Sequence, residues 1–94
     1  MTSDILTLIQ NGMGRFSKGQ KLIANYIINS YDKAAFMTAS KLGKTVNVSE
    51  STVVRFAVEL GYDGYPSMQK ALQEMIRNKL TSVQRIEVAN DRFG

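Results

Sequence analysis

The chain has no cysteine and no histidine. The first absence excludes disulfides and thiolate metal sites. The second removes the commonest general base and the commonest metal ligand. Long apolar runs are missing as well: nothing approaches the roughly 18 consecutive residues of a membrane span. The N-terminal "MTSDILTLIQNGMGRF" has neither the basic start nor the long apolar region of a signal peptide. A cytoplasmic, reduced setting is therefore expected, away from membranes. No pair of carboxylates lies in an evident apolar pocket that would split their pKa values, so neither an enzyme, a cofactor nor a metal centre is expected.

What remains is an ordinary globular composition: 94 residues, 44% hydrophobic and 21% charged, enough for one small domain with a single core. Net charge is +4 and the pI about 9.6, a balance that permits an anionic partner. The excess is uneven. Arg15, Lys18, Lys21 and Lys33 face only Asp32 within residues 15–33, and Lys41, Lys44 and Arg55 face Glu50 and Glu59 within 38–60. Phosphate contacts from several helices would use such a distribution, and so would a solvated basic surface.

The apolar pattern is helical nearly throughout. Ile5, Leu6, Leu8 and Ile9 predict a first helix stopped at Asn11-Gly12. Ser17 is a candidate N-cap for a second, with Leu22, Ile23, Tyr26 and Ile27 as its apolar stripe and an end near Tyr31. "DKAAFM" reads as a connector with Phe36 and Met37 turned inward. Thr38 caps a short third helix and Ser49 a fourth, which runs to Leu60 and stops at Gly61. Ser67 is the candidate cap of a fifth, burying Met68, Leu72, Met75, Ile76 and Leu80. Alternating segments are too few for a sheet, so the fold class is all-α: a small bundle of about five helices over residues 1–80. Residues 81–94 are only weakly periodic.

The stretch "TASKLGKTVNVSESTVVRFAVELG" stops one helix and starts another within a few residues. Two helices joined by a three- or four-residue turn form a helix-turn-helix when they cross steeply. Close approach favours a small residue, and Gly43 sits on the facing side. Mid-helix glycine costs about 1 kcal/mol relative to alanine, so it implies a packing reason. Asn47 is the best non-glycine candidate for a left-handed turn residue. Leu42, Val46, Val48, Val53 and Phe56 would pack across the joint. Glu50, Ser51, Thr52 and Arg55 would then project from the front of the second helix, the end that enters a major groove. An ordinary helical hairpin, serving as a protein-interaction module, is the alternative. It would bind partners by apolar surfaces that salt does not screen.

At "VSESTVVRFAVELGYDGYPSMQKAL" the sequence resembles the N-terminal helix-turn-helix domain of the RpiR-type bacterial transcriptional regulators. The resemblance extends upstream through "FSKGQKLIANYIINSYDKAAFMTASKLGKT" and covers about residues 3–80. It implies double-stranded DNA as partner, a palindromic operator bound by a homodimer, and control of sugar or sugar-phosphate metabolism. It also implies a C-terminal sugar-isomerase-type domain that binds a phosphosugar effector. No α/β pattern or glycine-rich cradle of that kind occurs in these 94 residues, so either 81–94 is a linker or the start of such a domain in a longer protein, or the protein has no sensor; the abrupt tail favours the first. The chain departs from the family at the turn, where Asn47 stands in place of the frequent glycine.

The candidate DNA contacts follow from residue chemistry. Arg55 can take a guanine edge or a phosphate bidentately, or pair with Glu59 four residues on. Ser51 and Thr52 are short enough to approach bases, though Thr52 can turn its methyl inward. Glu50 can accept from cytosine N4 or simply favour the positive helix N-terminus. Ser49 precedes a helix start with free N–H groups suited to phosphate. Lys41, Lys44, Ser17 and Lys18 are candidates for backbone contacts, as is the Tyr62 hydroxyl; of Tyr62 and Tyr65, one is expected in the core. Residues 3–11 are the candidate dimer element.

Overall fold

A computed structural model describes residues 5–78 of the chain, and among these there is no strand. Helix α1 is Ile5–Gly12, followed by a 3₁₀ turn, Met13–Arg15. Helix α2 is Lys18–Ala34, α3 is Ala39–Val46, α4 is Glu50–Glu59, and α5 occupies 65–78. Leu80 and the tail from Thr81 to Gly94 lie outside the described residues. No described helix is long and apolar enough to cross a membrane.

Local chemistry sets most helix ends. The Ser17 hydroxyl accepts from the Gln20 N–H (3.2 Å) while the Ser17 N–H donates to Gln20 Oε1 (2.9 Å), a reciprocal capping box. Thr38 and Ser49 each accept from the N–H three residues on, at 3.1 Å. At the far end of α3, Asn47 is left-handed (φ 65, ψ 45). The Val48 N–H reaches back to the Gly43 carbonyl (2.8 Å), and the Asn47 N–H to Lys44 (3.4 Å), a Schellman closure. The same closure ends α4, where Gly61 has φ 104 and the Tyr62 N–H bonds the Ala57 carbonyl at 3.1 Å. A β-branched residue cannot enter the left-handed region cheaply. Asn47→Val should therefore cost about 1–2 kcal/mol and Asn47→Gly almost nothing, read as urea midpoints.

Ile5, Ile9, Phe16, Ile23, Ala24, Ile27, Leu42, Val53, Phe56, Ala57, Met68 and Leu72 form one buried core, with Val46 and Val48 partly buried against it. Phe16 and Phe56 pack with their rings tilted at 55° and centroids 5.1 Å apart. From that pair the chain runs antiparallel to α4. Arg15 pairs with Glu59 (3.4 Å), and a Cβ on Gly19 would lie 3.5 Å from the Thr52 methyl and 3.6 Å from a Val48 methyl. The front of α2 is thereby held beside the start of α4.

Several expectations need correction. Helix α1 does stop at Gly12 as expected, but without a left-handed conformation (φ −91); a Cβ there would meet the Phe16 ring at 2.7 Å. Helix α2 continues to Ala34 through an irregular residue, Ser30 (φ −144, ψ 45). Leu22 is 45% exposed rather than part of the inward stripe. Phe36 is 71% exposed, and the residues buried in that connector are Ala34 and Ala35. The reason is α5, which grips the connector by its backbone. The Tyr65 hydroxyl (2.6 Å) and Gln69 Nε2 (3.0 Å) both donate to the Met37 carbonyl, and Gln73 Nε2 donates to that of Ala35 (2.9 Å). Small alanines let α5 come that close. Ser67 does not cap α5, which starts at residue 65 with the Met68 N–H on the Gly64 carbonyl (3.3 Å). Pro66 fits that first turn because its missing N–H would have no helical partner there.

Tyr65 is the buried one of the two tyrosines, and burial pushes its hydroxyl up to about 12 from 10.0. The folded state favours the neutral phenol, so this contribution to stability is complete below pH 10 and is lost as pH rises toward 12. Urea midpoints should fall across that window, and Tyr65→Phe should lessen the fall. At neutral pH the same variant loses about 1 kcal/mol, since Gln69 still serves the Met37 carbonyl.

Candidate nucleic-acid interface

Three residues, Asn47, Val48 and Ser49, separate α3 from α4. Gly43 decides how closely the two helices approach: a Cβ there would lie 2.8 Å from the Val48 carbonyl oxygen and 3.4 Å from the Glu50 nitrogen. Only hydrogen fits between α3 and the turn. With Val53, Phe56 and Ala57 inward, α4 turns Glu50, Ser51, Val54, Arg55 and Val58 to solvent. Glu50, Ser51, Val54 and Arg55 line one open depression on this outer face.

The candidate contacts divide accordingly. Glu50, Ser51 and Arg55 are exposed and brought together. Glu59 is occupied by Arg15, and among the described residues Arg55 makes no ion pair. Thr52 does not project with them. Its hydroxyl shares a hydrogen bond with Ser49 Oγ (2.8 Å) and its methyl lies toward Gly19, so packing on α2 takes the side chain inward. Ser49 and Ser17 are exposed but already engaged as caps. Lys18, the first residue of α2, is exposed beside the start of α4. Lys41 and Lys44 are exposed one helical turn apart, opposite the buried Leu42 and Gly43. Tyr62 is half-buried and hydrogen-bonded or otherwise engaged within the fold.

The residue that sequence reasoning missed is Val54. Read by type alone it belongs inside. Read by register it is i+4 from Glu50 and i+3 from Ser51, on the outer face.

Comparison with known proteins decides what this joint is. The helix-turn-helix domain of the rpiR family matches residues 3–79. The chain belongs to the rpiR family. The HTH-type transcriptional regulator YfhH of Escherichia coli (strain K12) is 33% identical to this rpiR-family chain over 63 residues, 67% of the chain and 22% of YfhH. The HTH-type transcriptional regulator CPE0189 of Clostridium perfringens (strain 13 / Type A) is 30% identical over 88 residues, 93% of the chain and 32% of that protein. A solved structure of the Vibrio vulnificus NanR protein complexed with ManNAc-6P superposes with a TM-score of 0.77 at 28% identity, covering 93% of this chain and 33% of NanR. The chain thus spans a third or less of the relatives it matches. Residues 3–79 are a helix-turn-helix domain of the rpiR family, of the kind these HTH-type transcriptional regulators contain.

Proposed function

We propose that this rpiR-family domain recognises a specific operator by seating α4 and its caps, residues 49–60, in the major groove. The observation that carries the reading is the outer face of α4, where Glu50, Ser51 and Arg55 converge on one open depression while the opposite face is locked into the core. Arg55 is the principal base reader, taking a guanine edge through its fork of N–H donors. Ser51 and Glu50 adjust specificity beside it. Ser49 and Ser17, with Lys18, Lys41 and Lys44, hold the phosphate backbone on either side of α4, and Tyr62 is the weakest member of the set.

The domain acts as a homodimer on a palindromic site, within a longer cytoplasmic regulator of sugar or sugar-phosphate metabolism. Residues 81–94 lead towards a C-terminal domain that binds a phosphosugar effector. The likeness to a NanR protein complexed with ManNAc-6P supports that part. A protein-docking role has one observation in its favour, the exposure of Phe36.

Titration of a duplex from the protein's own upstream region, beside a scrambled duplex, at two salt concentrations separates these readings. Preferential binding of the native duplex that weakens as salt rises is expected, since each phosphate contact adds about 0.9 to the slope of log K against log salt. Equal binding of both duplexes, collapsing together with salt, would contradict sequence reading. No binding at low salt would favour the docking role.

A further inference from the structure

We infer that Val54 reads the C5-methyl group of a thymine next to the base pair contacted by Arg55. This rests on the operator-reading function proposed above and names one further base and the residue that selects it.

A single exposed valine on a protein surface carries no meaning by itself. Val54 differs in its surroundings. It is 38% exposed and shares its depression with Glu50, Ser51 and Arg55. Its neighbours one turn back are Glu50 and Ser51, so an aliphatic side chain stands amid the polar ones on the face offered to DNA. Valine is a poorer helix former than the alanine, lysine or glutamate that would serve a merely solvated position. Helix propensity therefore does not account for it.

The major groove presents one apolar group, the thymine methyl. Val54 suits it in size and stiffness. Its χ1 is restricted in a helix, so the two methyl groups are already placed before binding. Ser51, one turn earlier, is short enough not to hold the helix away from the base edges. Arg55, the next residue along, extends further and can reach a neighbouring pair. Val58, 53% exposed one turn further on, is an internal comparison: the same residue type on the same face, farther from the end that enters the groove.

The test begins with the 94-residue chain and a random duplex library, from which a preferred duplex is selected. Each thymine of that duplex is then replaced singly by deoxyuridine, which removes only the methyl group. The wild-type chain should lose about fourfold in affinity at one such position, or at its equivalent in each half-site of a palindrome, the value of one buried methyl-sized group. Val54→Ala should show a clearly smaller penalty there, since its single methyl lies farther from the base, while Val58→Ala should keep the full one. Thermal melts check that both variants fold. A wild-type chain indifferent to every replacement would overturn the inference while leaving operator reading intact. A penalty undiminished in Val54→Ala, or one that falls in Val58→Ala instead, would also overturn it. If selection yields no preferred duplex, both the inference and the reading beneath it fail.

Discussion

Replacing Arg55 with alanine is expected to weaken binding of the preferred duplex by about 1–3 kcal/mol and to relax the choice of base at one position. The expectation rests on where the side chain's competitor has gone. Glu59, one turn along the same helix, would have been the natural ion-pair partner, but it is engaged with Arg15, next to Phe16 in the chain. Arg55 therefore stands at the rim of the α4 depression without an ion pair among the described residues. The fold should be indifferent to the change, because the side chain is exposed and alanine is a better helix former. Competition binding against single-base variants of the duplex measures it. An equal loss on every sequence would make Arg55 a phosphate contact, and an unchanged affinity would remove it from the interface.

Gly43→Ala should have the second large effect, by a different route. Taken alone, the change favours the helix by about 1 kcal/mol. Against that gain, the new Cβ would lie 2.8 Å from the Val48 carbonyl oxygen and 3.4 Å from the Glu50 nitrogen. Both are backbone atoms of the turn, so no side chain can swing aside to make room. Overpacking of this kind costs about 1–3 kcal/mol, so the net change should be destabilising. DNA affinity should fall further than stability, because relief of the clash moves α4 away from α3. Gly19→Ala is the contrasting case. Its Cβ would meet only the Thr52 and Val48 methyl groups at 3.5 and 3.6 Å, an ordinary contact, and the helix should gain. A Gly43→Ala chain with a raised melting temperature and unchanged binding would contradict the close approach of α3 to the turn.

How far the sequence could be read depended on how local each feature is. Ser17, Thr38 and Ser49 cap helices through bonds to N–H groups three residues away, and Asn47 takes a left-handed turn on its own conformational tolerance. Such chemistry is legible in a string of letters, and so was the rpiR family resemblance. Most of the failures concern what a residue meets across space, although the expected Ser67 cap fails locally because α5 already starts at residue 65. Phe36 was expected inward on its hydrophobicity, but α5 holds that connector through the carbonyls of Ala35 and Met37. Gly12 ends α1 as its type suggests, but what requires glycine there is the Phe16 ring, four residues on. Thr52, whose methyl was open to either side, and Val54 take places that polarity alone does not set. The buried register of Val53, Phe56 and Ala57 turns Val54 outward, and contact with Gly19 draws the Thr52 methyl in. That register was present in the sequence, and giving it more weight than residue type would have found Val54.

The central claim is that α4 is the surface that reads DNA. Amide chemical-shift mapping during titration with the preferred duplex tests it residue by residue. The account predicts the largest changes from Ser49 to Arg55, with smaller ones at Ser17 and Lys18 and at Lys41 and Lys44. Changes centred on Phe36 and α5, with the front of α4 unmoved, would contradict it.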